Sequence, residues 1–194
     1  MIRLRLLAAG ALVTALALVL LPLGQDVRAD DKDKEESKFN LVYVPTPEKV
    51  VEKMLDMAKV TKKDIVFDLG CGNGIMLAIA AKTYGCKGVG VDLNPVRIKE
   101  SNETIKKFGV QKLVEIRQGD ALKVKDFNKA SVVVLYMLPE FMNWLEPIAK
   151  KTLKPGTRIV SHDYKWDTKW EPDVTIEFKG PERTHTLYMW TVKK

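Results

Sequence analysis

From Ile65 onward the chain alternates short strand-like runs, the first apolar apart from Asp68, with longer stretches in which apolar residues recur every three or four positions. The short runs predict strands over residues 65–69, 88–91, 114–118, 132–136 and 157–161, and the 3.6-residue periodicity predicts helices over 75–84, 95–108 and 140–152. Strands that are apolar on both faces and separated by helices imply right-handed crossovers and a parallel sheet covered on both sides. The tail breaks this rhythm. Residues 174–178 and 186–192 are strand-like with no helix between them, and Lys179-Gly180-Pro181-Glu182 is rich in turn formers, so an antiparallel hairpin is expected to close the sheet. Ahead of the first strand, Val50, Val51, Met54, Leu55 and Ala58 share one helical face. Thr46 is the expected hydroxyl cap of that helix, followed by Pro47 where no amide hydrogen is needed.

The pattern at the start of the chain is of another kind. Arg3 and Arg5 precede an apolar run over residues 6–21, then come Pro22 and Gly24, and Val27-Arg28-Ala29 offers a small-residue cleavage site. This is the layout of an export signal, and the run is short for a membrane span, which takes ~20 residues. Residues 1–29 are therefore expected to be a signal peptide directing the domain to the periplasm or outside, the alternative being an uncleaved membrane anchor over residues 6–23. Residues 30–38 are almost wholly charged and predict a linker, which leaves residues 39–194 as one domain.

Composition narrows the class. Two cysteines exclude a disulfide-knit miniprotein, and two histidines far apart in sequence, His162 and His185, predict no metal centre. The net charge of +7 is spread, with Lys123, Lys125 and Lys129, or Lys150, Lys151 and Lys154, interrupted by other residues. That reads as a solvated surface, and no nucleic-acid partner is expected. Cys71 and Cys86 flank a ten-residue helix that spans ~15 Å, beyond the ~7 Å Cα limit for a disulfide, so both are expected to be free thiols.

The chemistry concentrates in Asp68-Leu69-Gly70-Cys71-Gly72-Asn73-Gly74, directly after the first strand and before a helix. Glycines let a backbone turn sharply and approach a ligand, and a helix N-terminus adds free amide donors. The second strand ends in Asp92, where a carboxylate can accept hydrogen bonds from both hydroxyls of a ribose. The spacing is Gly-x-Gly-x-Gly, not the dinucleotide Gly-x-Gly-x-x-Gly, and no Gly-Lys-Ser/Thr follows. Asp68 would repel a pyrophosphate and suits a cationic or amino-acid-bearing ligand. A sulfonium-bearing nucleoside fits better than a nicotinamide dinucleotide.

In these motifs the sequence resembles the class I S-adenosylmethionine-dependent methyltransferases. The resemblance implies a three-layer, Rossmann-like α/β fold with a mostly parallel seven-stranded sheet and a C-terminal antiparallel hairpin. It implies S-adenosylmethionine as cofactor, held by Asp68, Gly70, Cys71, Gly72, Asn73 and Gly74, with Asp92 and Leu93 at the ribose and Asp120 and Ala121 at the adenine. Tyr43-Val44-Pro45-Thr46-Pro47 looks like the segment that small lysine methyltransferases fold over the cofactor's methionine end. Those enzymes act on the ATP synthase c-subunit and the adenine nucleotide translocase. The likeness adds Tyr43, Pro45 and Thr46 to the cofactor residues, although Cys71, Asn73 and Asp92 depart from the usual Ser, Asp and Glu.

Tyr136, ending the fourth strand, is the candidate catalytic residue, either bonding a substrate amine or lining the pocket, the alternative being a core aromatic. His162-Asp163 suggests a base and its orienting acid, but neighbours on a strand point to opposite faces, so a structural histidine is expected. Trp166, Trp170 and Trp190 are expected to cover the sheet. The expected activity is direct methyl transfer by a monomer to a nucleophile such as a protein lysine amine or a small molecule, whose proton an apolar channel would help remove. A non-catalytic, exported nucleoside-binding domain on the same fold is the alternative from another class, and a dinucleotide oxidoreductase is a third.

Overall fold

The computed structural model describes residues 43–180 and 182–193. The expected signal peptide, anchor and charged linker lie outside the described residues. Helix α1 (Glu48–Met57) leads into β1 (Ile65–Leu69), α2 (Ile75–Tyr84), β2 (Lys87–Asp92), α3 (Pro95–Phe108), β3 (Val114–Gln118), β4 (Val132–Leu135), α4 (Pro139–Thr152), β5 (Arg158–His162), β6 (Val174–Lys179) and β7 (Thr184–Thr191). Two single-turn 3₁₀ helices, Ala121–Lys123 and Phe127–Lys129, join β3 to β4. The expected elements are all present, with strand ends moved by one or two residues.

The seven strands run in the order β3-β2-β1-β4-β5-β7-β6. The first five are parallel; β7 inserts antiparallel between β5 and β6. Alternation along each strand sends consecutive residues to opposite faces. Val66, Val132, Val134 and Val160 meet α1 and α2 on one side. Phe67, Val133, Leu135 and Ile159 meet α4 and the pair Trp166 and Trp190 on the other. Trp170 stacks on Trp166 with ring centroids 5.4 Å apart, and its carbonyl accepts the Trp190 indole N–H at 2.8 Å. The tryptophans thus cover one face of the sheet, as expected.

Connections leave β1 for β2 on one side, and β4 lies on the other. The strand order therefore reverses beside β1, and a crevice opens beyond the carboxyl ends of β1, β2 and β4, where open α/β sheets bind ligands. Local signals fix what surrounds it. Asn94 caps α3 by accepting the Val96 amide at 2.9 Å, with Pro95 in the first turn. Helix α1 differs from expectation: it begins at Glu48 with Pro47 in the cap position, and no side chain among the described residues caps it. The Thr46 hydroxyl instead reaches His162 Nδ1, at 3.2 Å. The Val50 and Val51 amides of the first turn go to the Pro47 carbonyl, at 2.9 and 3.0 Å. Cys71 and Cys86 are buried free thiols.

Candidate active site

The crevice is a cavity of ≈ 370 Å³, within the ~300–1,000 Å³ range of small-molecule sites. Its floor is the loop after β1. Gly70 and Gly72 hold φ of +87° and +52°, and a Cβ at either would overlap the side chain of Met137 or of Tyr43. The backbone here needs glycine twice over, for its dihedrals and for the space. Asp68, Gly70, Cys71, Gly72, Asn73, Asp92, Leu93, Asp120, Ala121 and Tyr136 all line the cavity, and Tyr43, Pro45 and Thr46 roof it. Gly74 does not. It caps α2 in a left-handed conformation against Ser101.

The loop amides are not the free donors that its sequence suggests. Gly70 and Cys71 donate to the Val91 carbonyl at 2.8 and 3.1 Å, and Gly74 donates to the Cys71 carbonyl at 2.8 Å. The Gly72 amide goes to Asp92 Oδ2 at 2.9 Å and the Ile75 amide to Asn73 Oδ1 at 3.2 Å. A pyrophosphate cradle needs those N–H groups aimed at the ligand. Here they brace the loop internally, and carboxylates face the cavity.

Asp68 is buried, and desolvation first, then the neighbouring Asp92 charge, pushes its carboxyl up to about 8. Asp92 is raised by burial as well, opposed by the amides of Asn94 and Gly72 that it accepts. Such a pair is uncomfortable without a cation and becomes favourable beside one. Asp120 sits at the outer rim. It caps the Ala121–Lys123 turn through Leu122 N at 2.9 Å and pairs with Lys123 at 2.9 Å, and both contacts hold its carboxyl below the usual range. The Tyr43 ring packs over the loop with the Arg97 guanidinium 4.2 Å from its centroid, and burial pushes its phenol up to about 12.

Several lining residues escape the sequence reading, among them Ile75, Met76, Arg97 and Leu122, and Phe141 and Trp144 on the first turns of α4. Phe141 and Trp144 are three apart, hence on one helical face, and Pro139 fixes where that helix starts. That spacing was the signal available for them.

His162 and Asp163 also differ from expectation. His162 Nε2 lies 3.2 Å from Asp163 Oδ2. The alternation rule fails because β5 ends at His162 and Asp163 turns back with φ +61°. The two histidines, distant in sequence, meet at 2.8 Å between His162 Nε2 and His185 Nδ1. Their donor atoms and the Asp163 carboxylate lie within 4.8 Å of one another. Asp163 is already engaged by the Arg183 guanidinium, a fixed positive charge that a metal ion would have to displace.

A model of the ANTKMT methyltransferase domain matches residues 68–174. A protein-lysine N-methyltransferase of Saccharolobus islandicus is 42% identical over 151 residues, covering 77% of this chain and 92% of that protein. The chain belongs to the ANTKMT methyltransferase family. It is a class I S-adenosylmethionine-dependent methyltransferase. The crystal structure of an RNA methyltransferase from Salinibacter ruber, in complex with S-adenosyl-L-homocysteine, superposes with a TM-score of 0.73 at 42% identity, covering 78% of this chain and 95% of that one. A ribosomal protein L11 methyltransferase of Alkaliphilus oremlandii is 34% identical over 53% of this chain, which spans about a third (32%) of that protein.

The cavity fits the cofactor that the family implies. Its acidic floor suits a sulfonium and an ammonium, its glycine cradle suits close approach, and Asp92 keeps unused lone pairs on both oxygens beside its two amide contacts.

Proposed function

We propose that this enzyme methylates the side-chain amine of lysine in a protein acceptor. The observation that carries the reading is the apolar and aromatic aperture beside the cavity. Tyr136, Met137, Phe141 and Trp144 line it, and Val44, Leu138 and Trp144 stand 53%, 57% and 55% exposed around it. The name of the archaeal relative supports the same acceptor.

A lysine ammonium (pKa ~10.4) must become neutral before it can act as a nucleophile. An aperture of apolar walls disfavours the charged form and admits the long alkyl stem, so deprotonation needs no dedicated base. Tyr136, half-buried directly after β4, lines the cavity beside this aperture, with its phenol close to Arg183. When bound, the cofactor supplies an electrophilic methyl group on a sulfonium. Asp68 and Asp92 would hold the cationic nucleoside, Asp120 and Ala121 would border its base, and the Tyr43–Thr46 segment would exclude water. Among the described residues that line the cavity Arg97 is the one cation, so they offer no Lys and Arg cluster for a phosphate backbone, which favours protein over RNA as acceptor.

Incubating the purified protein with methyl-labelled S-adenosylmethionine and a cell extract tests this. Label in protein, released on hydrolysis as methyl-lysine, is the expected result; label confined to RNA or small molecules overturns it.

Residues 1–29 support a second proposal, export with cleavage after Ala29. N-terminal sequencing of the protein from fractionated cells is expected to begin at Asp30 outside the cytoplasm. A chain beginning at Met1 in the membrane fraction would replace cleavage by the anchored alternative.

A further inference from the structure

We infer that His162, which is not among the residues lining the cavity, is a positioning residue that latches the cavity roof by holding the Thr46 hydroxyl and backing the Tyr136 ring. The inference rests on the cofactor reading of the cavity and goes beyond it, since it assigns a role to a residue with no contact to cofactor or acceptor.

The imidazole is a hub between parts of the chain that are far apart in sequence. Its Nδ1 meets Thr46 Oγ1, across 116 positions, at 3.2 Å. The Tyr136 ring lies against it with centroids 4.1 Å apart. Its Nε2 meets His185 Nδ1 at 2.8 Å and Asp163 Oδ2 at 3.2 Å. Both roof and wall residues that it touches, Thr46 and Tyr136, line the cavity.

The protonation pattern follows from the partners. A carboxylate can only accept, so Nε2 carries the hydrogen and donates to Asp163 and His185, which makes Nδ1 an acceptor and Thr46 Oγ the donor. Burial disfavours the charged ring, pushing it down to about 4, so this neutral tautomer is the working state at ordinary pH. The far side of the hub is anchored firmly. Asp163 accepts the Thr186 amide at 3.1 Å and the Arg183 guanidinium, and its own amide bonds the Thr186 carbonyl at 2.7 Å. The paired strands β5 and β7, inside the sheet, thereby fix the position of a residue in the roof.

His185 Nε2 is buried with no partner among the described residues. In the tautomer above it carries an unmet hydrogen, which is a stability cost. A cluster kept only for packing would gain by losing it.

The test uses amide side chains, which separate the two ring nitrogens. Asparagine places its carbonyl oxygen near the position of Nδ1 and can still accept from Thr46; glutamine places its amide near Nε2 and cannot. Affinity for S-adenosylhomocysteine is measured by titration calorimetry on the full-length chain and its variants. Thr46→Val and His162→Gln are each expected to weaken binding roughly five-fold, the worth of one hydrogen bond. His162→Asn is expected to stay within about two-fold, and the Thr46→Val/His162→Gln double variant to be no weaker than either single, because both cut the same link.

Additive losses in the double variant overturn the inference. So does a His162→Gln variant whose melting midpoint falls while its affinity stays native, the result of a purely structural histidine. If the unmutated chain binds no S-adenosylhomocysteine, the cofactor reading fails with it; if that chain binds and the variants match it, the latch alone fails.

Discussion

Asp92→Ala is expected to lower affinity for S-adenosylhomocysteine by at least about 100-fold. The carboxylate closes β2 at 8% exposure, and its two oxygens accept the Gly72 and Asn94 amides, each at 2.9 Å. These contacts brace the glycine loop on one side and the start of α3 on the other. Each oxygen retains a lone pair for a ribose hydroxyl, and hydrogen bonds to a charged acceptor contribute about 1.5–3 kcal/mol apiece. Losing two removes ~3–6 kcal/mol, or roughly two to four powers of ten at 1.36 kcal/mol per decade. Alanine also strands two amides, so the loop loses its brace as well as its ligand contact. Asp92→Asn should fall in between, because its NH₂ must face one of two amide donors. Asp120→Ala supplies the contrast. That carboxylate is 40% exposed and already paired with Lys123, so its loss is expected to cost less than about ten-fold. Calorimetric titration of the three variants ranks them, and an Asp92→Ala chain with native affinity would remove the ribose role.

The parts of this site that could be read from sequence are those set by local chemistry. Buried parallel strands announce themselves as apolar runs, which is why β1 and β4 begin where the pattern puts them, and α2 and α3 follow the 3.6-residue periodicity. The loop from Asp68 to Gly74 and the acid ending β2 are short-range motifs, and the fold brings them to one crevice at the switch point of the sheet. Three features depended on contacts that no local pattern encodes. Thr46 looks like a helix cap because hydroxyl-then-proline is a capping signal, yet its partner lies 116 residues away. The two histidines meet because β5 pairs antiparallel with β7 in a register that sets His162 opposite Leu187, two residues from His185. The glycine loop looked rich in free amides, but where a loop's N–H groups point depends on its neighbours, here the Val91 carbonyl and Asp92. The rule that adjacent strand residues diverge was sound and was carried one residue past the end of β5.

Asp68→Asn is expected to make the ligand-free protein more stable and the liganded one harder to form. In the folded chain the Asp68 carboxyl is raised to about 8 by burial and by Asp92, against an ordinary value of 3.8. Between those two values the folded state keeps a proton that the unfolded state has released. Stability contributed by this group is therefore present at low pH and lost as pH rises through the window, by as much as several kcal/mol. Asparagine does not titrate, so its advantage in melting temperature should widen from pH 5 to pH 9. Binding moves the other way. A ligand bearing an ammonium and a sulfonium favours the ionised carboxylate, so below pH 8 binding must expel the Asp68 proton, and affinity should climb with pH and level off near 8. Calorimetry at pH 7 in two buffers of different ionisation enthalpy should show close to one proton released by the wild-type chain and none by Asp68→Asn, with affinity ten-fold or more weaker in the variant. A wild-type chain that releases no proton, or a variant with the same affinity and pH profile, would take Asp68 out of the cofactor's reach. The carboxyl whose ionised form burial and Asp92 disfavour is thus the one that a cationic nucleoside would stabilise, which ties the electrostatics of the β1 terminus to the selectivity of the cavity.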